Sequence, residues 1–297
     1  MDIPFDLLNI VASFHTKPRM KLLDWIPENK LDWDELSTNP QALHMLEANP
    51  KKIIWEWLSF NPQALHMLEE NPMKINWNWL SRNPNALHLL EANPEKINWE
   101  WLSSNPNAMH MLEIVLQHDP EKINWSRLSR NPNALHILEA NFEEINWNFL
   151  SQNPNAIHLL ELVLQHDPIN PLAAIDWDYL SGNPNALHIL EANPMKINWR
   201  WLSSNPNAIH MLEANPNKIN WAMLSENPNA LHILEANPVK IIWKYLSKNP
   251  NALHMLEANP EKIDWDFLSQ NPSIFEIDTK QTQIYLRKKA NNIDDYL

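Results

Sequence analysis

Apolar and polar positions along this chain recur with a period of 22 residues. Trp33, Trp55, Trp77, Trp99, Trp125, Trp147, Trp177, Trp199, Trp221, Trp243 and Trp265 mark the period, which lengthens to 26 between Trp99 and Trp125 and to 30 between Trp147 and Trp177. Each Trp is followed three positions later by a leucine, so both fall on one face of a short helix. A unit this small cannot bury its own apolar face and must stack on copies of itself. The pattern therefore predicts an all-α, elongated solenoid, a right-handed superhelix of about eleven 22-residue helix-turn-helix repeats. Its expected length is about 90 to 110 Å if layers repeat at helix-packing distance.

Residues 75–96, INWNWLSRNPNALHLLEANPEK, serve as the type unit. Asn76 stands where a first helix would be capped, and Asp or Asn fills this place in most other units, with Ile54 and Ile242 as exceptions. A second helix is signalled by Asn83 followed by Pro84, because proline at the first helical position loses no hydrogen bond and has its φ already set. On a helical wheel Ala86, Leu87, Leu89 and Leu90 share an arc of roughly 160°, opposite Asn85, His88 and Glu91. This predicts an amphipathic helix of about two and a half turns. It ends before Asn93-Pro94, since the residue ahead of a proline is pushed out of the α region, and a 3₁₀ turn or loop then leads to Ile97.

Two units depart from the pattern. EIVLQHDP after Leu112 and ELVLQHDPINPLAAIDW after Leu160 replace the usual EANP and are expected to add a turn to the second helix, with a further loop in the second case. The division expected is an N-terminal cap over 1–30, repeats over 31–272 with insertions near 114–119 and 162–174, and a C-terminal cap over 273–297. Residues 18–27 look like a half-repeat, with Leu22 and Leu23 in place of the second-helix leucines, and 279–290 reads as a charged terminal helix. The lengthened turns mark a partner site or a self-association contact, because length changes in repeat proteins map to one edge.

Composition narrows the function classes. There is no cysteine, which removes disulfides, thiol nucleophiles and cysteine metal sites together. A single glycine, Gly182, leaves no phosphate loop of either glycine-rich type, and a formal charge of −13 argues against nucleic acid, where Lys and Arg supply most of the affinity. No run of apolar residues is long enough to span a bilayer, and 1–14 lacks the basic leader and small-residue cleavage site of a secretory signal. No catalytic, cofactor-binding or metal-binding residues are expected, so the protein reads as a non-enzyme with no cofactor.

LLDWIP at 22–27, the recurring LSxNPNAxHxLExNPxKIxW and the closing LSQNPSIFEID at 268–278 resemble the short Trp/Asn-Pro repeat proteins of giant viruses of amoebae, mimivirus and marseillevirus relatives among them. The resemblance covers some 250 residues. It implies a viral protein, expanded by duplication and of unassigned activity, located in the host cytoplasm, nucleus or viral factory, or in the virion. The alternation of an α-helix with a very short one is also similar to leucine-rich-variant repeats, which form right-handed solenoids.

Three sets of residues are candidates for binding a protein or peptide partner. The repeating tryptophans themselves are expected in the core. A second aromatic two residues later, including Trp57, Trp79, Trp101, Trp201 and Tyr245, either packs between neighbouring first helices or forms an exposed stripe that could anchor a partner. Ten histidines, among them His88, His110, His188 and His210, form a ladder on the polar side of the second helices. One His per layer cannot share a zinc site when layers lie roughly 8 to 10 Å apart, and the Glu three residues on in the same helix is the expected partner. His118 and His166 close the inserted turns. The reading is an interaction scaffold, with a self-associating structural protein of the virion or viral factory, hence a homo-oligomer, as the alternative.

Overall fold

The computed structural model describes residues 18–166 and 175–284. Each unit begins with the capped helix that its sequence demands. Asn76 accepts from the N–H groups of Asn78 and Trp79 and opens Trp77–Arg82; Asp32, Asn198 and their equivalents do the same, while Ile54 and Ile242 open helices with no such bond. The second helix is shorter than its amphipathic pattern predicts, running over Leu87–Glu91 in the type unit and Leu43–Ala48 in the first. Asn83 does cap the segment by accepting from Asn85 N–H, but Ala86 N–H returns to Asn83 C=O and Ala86 sits at φ −92° and ψ 11°, outside the α region. A tight turn thus precedes the helix and takes up its expected first turn. A 3₁₀ turn, Pro94–Lys96, then leads to the next unit as expected.

Two ladders tie successive layers together. The buried Asn83 side chain donates from Nδ2 to the carbonyls of Ser59 and Asn61, at 3.1 and 3.0 Å, in the layer before it. The Ser81 hydroxyl donates to Trp77 C=O and accepts from Asn98 N–H in the layer after it. These bonds recur in every unit, so backbone groups that short helices would leave bare are satisfied by the neighbouring repeat. Leu80, Ala86 and Leu90, all with no solvent exposure, fill the space between. The repeating Trp indoles are the lid of this core rather than its centre. Each is half-buried, and eight carry a Lys ammonium from the following layer between 4.3 and 5.4 Å from a ring centroid, as Lys52 does over Trp33.

The solenoid is not elongated: its ends meet. Asn39 of the first repeat donates to the carbonyls of Ser269 and Asn271 of the last, at 3.0 and 3.3 Å, and Asp32 N–H donates to Ser269 Oγ at 2.8 Å. Lys30 lies 4.7 Å over Trp265, and the helix Trp33–Thr38 packs on Trp265–Gln270 as it does on its successor. The seam thus repeats the asparagine, serine, lysine–tryptophan and first-helix contacts of the interior layers, and eleven ladder asparagines from Asn39 to Asn271 form a closed circle. The expected length of an open superhelix does not apply to a molecule without ends. Successive first helices lie closer together than successive second helices, so the first helices form the inner wall and the second helices the outer one. Eleven layers about 9 Å apart close a circle about 30 Å across at the inner helix axes, with an opening of about 20 Å once side chains are counted.

The two expected caps are therefore joined. Met20–Leu22 (β1) is a strand and not a half-repeat helix; it pairs antiparallel with Phe275–Ile277 (β2), Met20 opposite Ile277 and Leu22 opposite Phe275. Together they replace the second helix that the last unit lacks. Residues 279–284 are helical, and the remainder of the expected terminal helix lies outside the described residues. Both insertions lengthen second helices to ten residues, Met109–His118 and Ile157–His166, which puts them on the outer wall; the loop expected beyond the second lies outside the described residues.

His44 is a titratable weak point of the seam. His44 has no glutamate before it, because β2 stands where the preceding second helix would be, and its Nδ1 is buried without a partner. Burial pushes its pKa below 6.5, aided by Arg19 and His66 and opposed by Glu47. A depressed histidine pKa means that the unfolded chain takes up a proton that the folded ring resists. Stability from this group is thus full above about 6.5 and falls as the pH drops below it. We expect the urea midpoint of the parent to fall more steeply between pH 6.5 and 5 than that of His44→Gln; parallel curves would show that His44 plays no part.

Candidate functional site

The inner wall carries the aromatic residues that follow eight of the repeating Trp by two positions. Because these helices are short and stacked in register, equivalent side chains of adjacent layers touch. Trp57 and Trp79 lie with ring centroids 5.0 Å apart, Trp79 and Trp101 stack at 5.5 Å, and Phe60 meets the edge of Trp79 at 6.1 Å. A second run joins Phe149, Tyr179 and Trp201 at 6.3 and 6.2 Å, and Tyr245 meets Phe267 edge-on at 5.7 Å. Both readings of this stripe hold together. The rings pack between neighbouring first helices and still face the opening, Trp201 most of all at 38 % exposure. Trp79 Nε1 donates to Glu56 at 3.2 Å, which fixes its plane.

Where the Trp row ends, arginine takes over. Arg127 occupies the aromatic position of its layer; its guanidinium lies 3.7 Å from the Trp101 centroid, and its Nε and Nη2 donate to Glu100 at 3.1 and 2.8 Å. Arg82, at the last position of its helix, lies 5.1 Å over Phe60 and 5.4 Å over Trp101. Its pKa is lowered by burial and by the nearby positive charges of Arg130 and Arg127. With Arg130, Ser104, Ser126, Asn124 and Phe149 these residues line a cavity of about 500 Å³ spanning four layers. Arg130 also borders a neighbouring hollow of about 420 Å³ beside Tyr179 and Trp201, left open where Gly182 has no side chain to place against Trp201.

The histidine candidates lie elsewhere. His88, His188 and His210 are on the outer wall, and each meets a carboxylate of the preceding layer: Glu69 at 2.7 Å, Glu161 at 2.7 Å and Glu191 at 2.9 Å. The expected partner three residues on in the same helix is not the one used, because stacking brings the preceding second helix closer to the imidazole than its own next turn. His110 is exposed on the same wall, and His118 is exposed at the end of Met109–His118, where the following Asp119 pairs with Lys122 at 2.9 Å. His166 ends Ile157–His166. The aromatic and histidine candidates are therefore two surfaces facing opposite ways.

Reading residue types along the chain missed the arginine cavity. Its signal was present, since Arg82 and Arg130 share the position five after the repeating Trp and Arg127 breaks the aromatic series between them. Their convergence depends on which wall is concave, and no single repeat shows that. Among the described residues no group of three His, Asp or Glu side chains is placed to hold a metal ion, and no helix is long and apolar enough to cross a membrane. No family model, no curated protein and no solved structure matches this chain.

Proposed function

We propose that this chain is a non-enzymatic, ring-shaped interaction scaffold that holds a protein or peptide segment against its inner wall. The observation that carries this reading is the half-exposed aromatic row Trp57, Trp79 and Trp101, continued by Arg127, on a concave surface. Trp, Tyr and Arg are the residues that most often dominate binding energy, and a row already stacked in the free protein loses little side-chain freedom on binding. An opening of about 20 Å admits an extended strand or one α-helix, whose diameter with side chains is about 10 to 12 Å. The resemblance to giant-virus repeat proteins favours a role in infection or in the virion. A self-associating structural protein is less favoured, because a closed ring offers no free end on which further copies could stack.

Affinity purification from infected cells tests the reading. A reproducible partner is expected with the parent protein, lost from Trp79→Ala/Trp201→Ala by about 30-fold or more in affinity. The outer-wall variant His188→Ala/His210→Ala should retain it. Recovery of the protein alone, or equal loss from both variants, would refute the inner wall as the binding surface.

A further inference from the structure

We infer that the cavity framed by Arg82, Arg127 and Arg130 binds a phosphate monoester, presented as a phosphorylated side chain by the partner of the inner wall. This deepens the reading above and rests on it. The chain carries a formal charge of −13 and has six arginines, of which these three meet in one cavity. The cavity is lined by a single carboxylate, Glu100, and both guanidinium hydrogen bonds of Arg127 go to it. Arg82 contacts the faces of Phe60 and Trp101 but no acid, and Arg130 is exposed and pairs with no described residue. Two positive charges therefore stand close together without compensation.

A phosphoryl group with a charge of about −1.5 to −2 matches them, whereas one carboxylate would leave a guanidinium unanswered. Arginine is suited to this task because its planar fork presents paired N–H groups to phosphate oxygens. Stacking on two aromatic faces holds the Arg82 fork before any ligand arrives, and the Ser126 hydroxyl, which accepts from Asn146 Nδ2 and keeps its own proton to donate, lies on the same wall. At about 500 Å³ the cavity is larger than a phosphoryl group needs, which leaves room for the side chain that carries it. The Trp101 to Trp57 row starts at its rim and would meet apolar residues flanking that side chain.

Isothermal titration of the full chain with the peptide Ala-Leu-phosphoserine-Leu-Ala, its Ser and Glu counterparts, and inorganic phosphate tests the inference. The phosphopeptide should bind, and the Ser peptide and inorganic phosphate should bind much more weakly. Arg130→Glu, at an exposed site that leaves the fold intact, and Arg82→Gln should each weaken phosphopeptide binding by about ten- to a hundredfold. Glu100→Gln should tighten it severalfold by releasing Arg127, which a purely structural ion pair would not do. Equal binding of the Glu peptide, or no effect of Arg130→Glu, would overturn the phosphate site. If the Ser peptide binds as well and depends on Trp79, the inner wall remains a peptide surface while this inference fails. If inorganic phosphate binds as tightly as the phosphopeptide and Trp79→Ala changes nothing, the anion site stands and the partner is lost.

Discussion

Replacing Asn39 and Ser269 together by alanine should open the ring. The pair supplies the bonds from Asn39 Nδ2 to Ser269 C=O and Asn271 C=O, the bond that Asp32 N–H makes to Ser269 Oγ, and the Asn39 acceptor for Gln41 N–H. All lie in buried or part-buried surroundings, where a group left unsatisfied costs about 1 to 3 kcal/mol. Equivalent losses at an interior boundary would loosen two layers that the chain still holds side by side. At the seam, where no chain connection joins the two layers, there remain β1 pairing with β2, the Leu23 N–H bond to Ile274 C=O, the Asp278 N–H bond to Arg19 C=O, the Arg19 N–H bond to Thr282 Oγ1 and side-chain contacts such as Lys21 with Glu276 and Lys30 over Trp265. Small-angle scattering should give a maximum dimension of about 60 Å for the parent, two helix layers around the opening, and about 90 Å or more for the variant. The absence of cysteine allows clean labelling of Asn29→Cys/Glu261→Cys, exposed positions on the two sides of the seam, for energy transfer. High transfer efficiency in both the parent and the alanine variant would show that these bonds do not hold the ring shut.

The largest loss of stability from one polar side chain is expected at an interior ladder position. Asn227→Ala removes two donated bonds, to Ser203 C=O at 3.1 Å and Asn205 C=O at 3.1 Å, and the acceptor for Asn229 N–H at 3.0 Å. Asn227 is 1 % exposed, so water cannot replace these partners without disturbing the layer. Asn205 C=O keeps Ala208 N–H as a donor, which leaves Ser203 C=O and Asn229 N–H as the main orphans. The cost should be about 2 to 4 kcal/mol, read from the urea midpoint. Asn229, two residues on, also bonds to the preceding layer, through Pro206 C=O at 2.9 Å, but it is exposed. Asn229→Ala should cost less than about 1 kcal/mol, because water can take over its partner. Equal costs at the two positions would mean that burial is not what gives the ladder its strength.

Much of this architecture could be read from the chain before any coordinates. The step between tryptophans, the Asx caps, the Asn-Pro breaks and the longer second helices at residues 114 and 162 are local features, and the structure has them where the pattern puts them. Errors arose where a local pattern met a neighbouring layer. A proline after Asn83 is compatible with a helix starting at once, but the Asn83 amide is held by the previous layer and the chain turns before the helix begins. His88 has Glu91 on its own helix, yet stacking delivers Glu69 to it first.

By itself, the sequence determined the period, the two helices of each unit, their caps and their buried leucines, because these depend on backbone chemistry within a few residues. Closure was decided only in the tertiary structure. It depends on the small rotation between adjacent layers, accumulated over eleven of them, and on β1 and β2 taking the place of one absent helix. The same accumulation selected the inner wall and brought Arg82 to Arg127 and Arg130, which share one helix two layers further along the chain, since curvature, a property of many interfaces together, is written in no one of them.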